Sequence, residues 1–147
     1  MIKEQHKKFL ARYGNPDHVD MHDEDIHEDI AMNPLIKKEQ GEHLLNHSHD
    51  GVRGIYSDYT PHYDHLLELS KSRSSMVRNG TVFNDLADHK IFQNILNFKA
   101  PETYITHNIA KHKNASKKNL ETIVEKGLSG AYNAKSRLEK GDCVNDL

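Results

Sequence analysis

Cysteine is almost absent from this sequence. Cys143 is the only one in 147 residues, so no internal disulfide can form, and its place in a polar stretch near the end reads as an exposed, dispensable thiol. Apolar residues are also scarce, 35% against 29% charged, with a mean hydropathy of −0.83. That inventory is poor material for a thick central core and suits a thin core between short stacked helices. No apolar run approaches a membrane span. The stretch MIKEQHKKFLARYG lacks the apolar segment and small-residue cleavage site of a secretory signal, so the chain is expected to be soluble and cytoplasmic. Missing as well are a glycine-rich phosphate loop, a nucleophile elbow, an HExxH zinc motif and a Cys–His couple with any context. No enzyme and no cofactor are expected.

What is present is charge, unevenly placed. Residues 1–70 carry 7 Lys/Arg against 14 Asp/Glu, and residues 71–147 carry 13 against 8. The halves therefore stand at −7 and +5 within a net charge of −2. Such a dipole can align with a complementary partner or head to tail with itself. The length fits a single domain spanning 1–147.

Sliding the chain over itself lays IAMNPLIKKEQGEHLL (30–45) on IAKHKNASKKNLETIV (109–124) without a gap. Three intervals of about 26 residues each would give that shift, a period in the range of short helical repeats. Apolar markers stand at Ile26, Val52, Val77, Ile105 and Ala131, and two positions before each stands Glu24, Asp50, Ser75, Thr103 or Ser129. Four of those five are preferred helix N-caps, and the fifth is an acid at a helix start. A second apolar signal follows each of the first four markers: Leu44 and Leu45; Leu66 and Leu69; Phe92, Ile95 and Leu96; Leu120, Ile123 and Val124. Between the two helices of a copy lie breakers at Asn33-Pro34, Thr60-Pro61, Asn84 to Asp88 and Asn114 to Ser116, with Thr60 read as an N-cap ahead of a first-turn proline. One such copy cannot bury its own stripe, so the pattern predicts an all-α short solenoid of stacked helix–turn–helix copies of about 26 residues. An irregular leading portion (1–22) contains a helix over 2–13 with Ile2, Phe9, Leu10 and Tyr13 on one side, stopped at Gly14-Asn15-Pro16. Copies run over 23–128, and 129–147 forms a capping helix of about 130–139 and a frayed tail.

The residues Asn33, Pro34, Leu44, Asp50, Val52 and Arg53, then Leu66, Leu69, Val77 and Arg78, then Asn114, Leu120 and Ile123 carry a resemblance to leucine-rich-repeat-variant and HEAT-like short helical repeats. Segment 14–34 is similar to degenerate repeats of this kind in tailed-phage proteins. The resemblance covers about 14–138 and implies a fold. Some proteins of the leucine-rich-repeat-variant kind hold an N-terminal iron–sulfur cluster, which one cysteine at the other end cannot supply. Gly41 departs from the pattern, standing where other copies have Leu66, Phe92 or Leu120. Its helix must be either closely approached by a neighbour or locally weak.

Arg53 and Arg78 follow their markers directly, and His27 holds the same place in the first copy. In the resembling repeats such a row makes a ladder of hydrogen bonds to the next copy, the preferred reading, or lines a partner groove. Thr106 and Tyr132 interrupt it later. The acidic stretch Asp23, Glu24, Asp25, Glu28 and Asp29 reads first as a solvated helix start and second as a contact for a basic partner. Lys111, Lys113, Lys117, Lys118, Lys126, Lys135, Arg137 and Lys140 could bind phosphates. Against that, the acidic half repels a polyanion and no aromatics interleave with the lysines. Of twelve histidines, His43/His47 (near Glu42, His49 and Asp50) and His18/His22 (with Asp20 and Asp23) have i, i+4 spacing, little above chance, and no metal site is assigned. The expected function is a non-catalytic protein-binding module, an accessory or inhibitory factor on a larger assembly, meeting its partner through Arg53, Arg78, His27, Asp23, Asp25 and Glu28. The alternative is nucleic-acid binding through Lys111, Lys113, Lys117 and Lys118.

Overall fold

The computed structural model describes residues 2–145, without the Ile2 side chain. Among them are ten α-helices: α1 (Ile2–Tyr13), α2 (His27–Ala31), α3 (Lys38–Leu45), α4 (Asp50–Tyr59), α5 (Tyr63–Leu69), α6 (Ser75–Phe83), α7 (His89–Leu96), α8 (Thr103–Lys111), α9 (Lys117–Glu125) and α10 (Ala131–Lys140). Tight 3₁₀ turns at Pro16–His18 and Glu24–Ile26 join α1 to α2. The chain forms an N-terminal unit, Met1–Asn84, and a C-terminal unit, Asp85–Leu147.

In the N-terminal unit α4 packs against α2 on one side and α6 on the other, while α3 packs on α5. In the C-terminal unit α7 packs on α9 and α8 on α10. The markers Ile26, Val52, Val77 and Ile105 are buried, as are Leu44, Leu66, Leu69, Phe92, Ile95, Leu96, Leu120 and Ile123. The i, i+3, i+4 stripes are thus the inward faces. Ala131 is half-buried.

Several details differ from the sequence reading. Asp50, Ser75 and Thr103 are the first residues of α4, α6 and α8, one position past the caps His49, Ser74 and Glu102. The Asp50 carboxylate is turned to the Arg53 guanidinium instead of the first-turn amides. Gly130, left-handed at φ 94°, precedes α10, and Asp23 caps the turn at Glu24. Thr60 ends α4, and its hydroxyl accepts the His62 amide at 3.1 Å, so α5 begins beyond Pro61 at Tyr63. In α1, Phe9, Leu10 and Tyr13 face solvent and Ala11 is the buried residue, because α1 meets α2 through a small side chain. The tail is tied down through Val144: its carbonyl accepts the Lys117 amide and its amide donates to Ala115, both at 3.2 Å. Cys143 is half-buried, and Asp146 and Leu147 lie outside the described residues.

Gly41 is buried beneath a neighbouring side chain. A methyl group there would overlap the Tyr56 hydroxyl, which pairs with His65 Nδ1 at 2.7 Å. Close approach, and not local weakness, explains the missing leucine. Burial pushes the Tyr56 phenol up to about 12 and the His65 imidazole down.

Candidate functional site

Backbone carbonyls at helix ends and in connections need donors, and here side chains 19–29 residues further along the chain supply them. Asn33 Nδ2 donates to Ala11 O (2.9 Å) and Gly14 O (3.0 Å), and Asn84 Nδ2 to Ser57 O and Thr60 O (both 3.0 Å). In the C-terminal unit Asn114 Nδ2 donates to Asp85 O (3.3 Å) and Ala87 O (2.9 Å), and Arg137 Nη1 to Ala110 O (3.0 Å) and His112 O (2.8 Å). A second set serves the starts of α3, α7 and the first 3₁₀ turn: His62 Nε2 bonds Ile36 O, Asn119 Nδ2 donates to His89 O, and Gln40 Nε2 to Pro16 O. In the sequence Asn33, Asn84 and Asn114 read as breakers, and Asn33 and Asn114 also as parts of the resembling repeat. Their second role depends on which carbonyls lie opposite, which spacing alone does not give.

The row at the position after each marker shares one geometry. His27 Nε2 meets Met21 O, Arg53 Nη1 donates to His47 O and Arg78 Nη1 to Ser72 O, each at 2.8 Å and each six residues back, in the connection before its own helix. His27 and Arg78 are buried by this, whereas Arg53 stays half-buried. Thr106 is buried, bonding Thr103 O at 3.2 Å, and Tyr132 is exposed.

Two notches open beside that row in the N-terminal unit. One, of about 440 Å³, is lined by Leu45, Asp50, Arg53, Glu68, Leu69, Ser72, Arg73 and Ser74. The other, of about 580 Å³, is lined by Glu24, Asp25, Glu28, His47, His49, Gly51 and Val52. The start of α4 is the ridge between them, and Glu24 with Asp50, like His47 with Arg73, stand 26 residues apart in the sequence. Each notch therefore sets a carboxylate at a helix start against a basic or imidazole side chain from the following connection. Of the expected contact residues, Arg53, Asp25 and Glu28 line these notches, while His27 and Arg78 do not. Asp23 is engaged within the molecule: it caps the 3₁₀ turn and meets Lys7 Nζ at 2.6 Å, which holds its carboxyl below the usual range. Burial holds the neighbouring Asp29 carboxyl up.

The histidines gather where the second notch begins. His47 Nε2 faces His27 Nδ1 at 3.0 Å, and the His49 amide donates to His47 Nδ1 at 3.0 Å. Burial, first of all, lowers the His47 pKa. A lowered histidine adds stability that is complete above the unfolded value of about 6.5 and is lost as pH falls below it; His65 acts in the same direction. His43 is exposed, and among the described residues no three His, Cys, Asp or Glu are disposed to hold a metal ion.

The C-terminal unit brings Lys111 and Lys113 together with Arg137 in a groove of about 430 Å³ that Asp142 also lines. Arg137 Nε is bonded to Asp142 O at 3.0 Å. Lys117 and Lys118 stand apart from it on the first turn of α9, with Lys117 3.8 Å from Glu121.

These elements define an all-α multi-helix domain. No protein-family model matches the chain, and no curated protein and no solved structure matches it. No helix among the described residues is long and apolar enough to cross a membrane.

Proposed function

We propose that this protein is a non-catalytic short α-solenoid, of the leucine-rich-repeat-variant or HEAT-like kind, that holds a polypeptide partner along its N-terminal unit as an accessory or inhibitory factor of a larger assembly. Its copies are of about 26 residues, each one helix–turn–helix. The tailed-phage resemblance of segment 14–34 belongs to the same reading. The observation that carries it is the recurrence of the notch: Glu24 and Asp50, and His47 and Arg73, line successive notches one copy apart. Leu45, Leu69 and Val52 give these notches apolar lining between charges of both signs. Such a surface suits an extended polypeptide, whose side chains vary along its length, and opposes a polyanion of uniform charge. The second reading, nucleic-acid binding, draws on Lys111, Lys113 and Arg137 in one groove, but Asp142 in that groove weighs against it.

Affinity capture from the native host, with and without nuclease, separates the two. On the first reading Arg73→Glu weakens capture of the partner by about tenfold or more, nuclease changes nothing, and Lys111→Glu with Lys113→Glu is neutral. Capture lost on nuclease treatment or on the lysine reversal would reject it in favour of nucleic acid.

A further inference from the structure

The His27–His47 contact has only one arrangement of protons in the neutral state. Met21 O can only accept, so His27 Nε2 carries a hydrogen and, in a neutral ring, His27 Nδ1 does not. The His49 amide can only donate, so His47 Nδ1 is bare and His47 Nε2 carries its hydrogen toward His27 Nδ1. The chain His49 N–H to His47 to His27 to Met21 O therefore runs in one direction with every site filled. A further proton has no place in it. On His27 Nδ1 it would point at the His47 Nε2 hydrogen, and on His47 Nδ1 it would point at the His49 amide hydrogen.

From this geometry we infer that the His27–His47 pair is a proton-sensitive latch that ties the connection between α3 and α4 to α2 when neutral and releases it when protonated. The groups around it set the balance. Glu24 and Asp25 on the 3₁₀ turn and Glu28 on α2 favour the imidazolium, whereas His49 and Arg53, the latter paired with Asp50, oppose it. Burial adds to the opposing side. Release is local, because Arg53 Nη1 keeps the His47 carbonyl bound to α4. What changes is the notch: the His47 ring leaves His27, its mouth widens, and one positive charge joins Glu24, Asp25 and Glu28. The latch does not depend on whether a polypeptide docks there.

Nuclear magnetic resonance on the isotope-labelled full chain, titrated from pH 8 to pH 5, tests this without any partner. At pH 8 the long-range nitrogen–proton spectra are expected to show both His27 and His47 as single Nε2–H tautomers. On acidification His47 gains its proton at a midpoint below the value of about 6.5 for a free histidine. Over the same range protection of the His49 amide, corrected for intrinsic exchange, falls about tenfold. In His47→Gln that step in protection disappears. An Nδ1–H tautomer at His47, a midpoint at or above the free value, or a His49 amide indifferent to the titration would each overturn the latch.

Discussion

Replacing Leu69 or Ile123 by alanine is expected to cost about 2–5 kcal/mol of stability. Both side chains are buried, Leu69 on α5 3% and Ile123 on α9 0% exposed. Truncation removes transfer free energy and leaves a void that neighbouring helices fill only in part, since each is held by side-chain bonds to backbone. In the N-terminal unit the His62 bond to Ile36 O ties α5 to the segment before α3. In the C-terminal unit Lys126 Nζ to Leu96 O at 2.7 Å and Asn119 Nδ2 to His89 O tie α9 to α7. Lys117→Ala, on the exposed face of α9, is expected to change stability by no more than about 0.5 kcal/mol. Urea denaturation followed by far-ultraviolet circular dichroism measures all three; neutral Leu69→Ala and Ile123→Ala would mean that the inward faces are wrongly assigned.

The next largest effect is expected at a glycine. In an ordinary helix interior Gly→Ala stabilises by about 0.5–1 kcal/mol, but Gly80→Ala is expected to destabilise by about 1–3 kcal/mol. A methyl group at Gly80 would overlap the Ser57 hydroxyl and stand 2.5 Å from the Gly54 carbonyl. Ser57 cannot turn away without losing its bonds to Gly54 O (2.7 Å) and Val77 O (3.0 Å), and the carbonyl belongs to the α4 backbone. The only relief is to move α6 off α4. Gly41→Ala shares the sign, through the Tyr56 hydroxyl and its bond to His65. Gly51→Ala, which would meet nothing within 4 Å, has the opposite sign. Thermal melts of the three variants decide the matter, and a stabilised Gly80→Ala would refute the close packing of α4 on α6.

The helices were legible because each rests on a local pattern. Helix 2–13 is present to the residue, and the closing helix runs Ala131–Lys140 against an expected 130–139. Stripes such as Phe92, Ile95 and Leu96 announce a buried face by spacing alone. Caps were less legible by one residue, because Asp50 can serve either the first-turn amides or Arg53, and only the folded chain shows it serving Arg53. The outward turn of Phe9, Leu10 and Tyr13 was hidden for a related reason: an apolar side of α1 is visible in sequence, but the small Ala11 at the contact with α2 is not. At the candidate site, the shared position of His27, Arg53 and Arg78 was readable as a row. That all three reach six residues back, leaving only Arg53 beside a notch, follows from the shape of the connections. The histidine pairs suggested by sequence, His43/His47 and His18/His22, have helical spacing. The pair the fold makes, His27 with His47, joins positions 20 apart, one at the start of α2 and the other in the connection after α3.

A photo-activated cross-linking amino acid placed at Arg73 in one form of the full chain, and at Lys113 in another, each irradiated in the native host, locates the docking surface. A discrete protein adduct is expected from position 73 that survives nuclease digestion, and none from position 113. Adducts confined to position 113, or removed by nuclease, would contradict docking on the N-terminal unit.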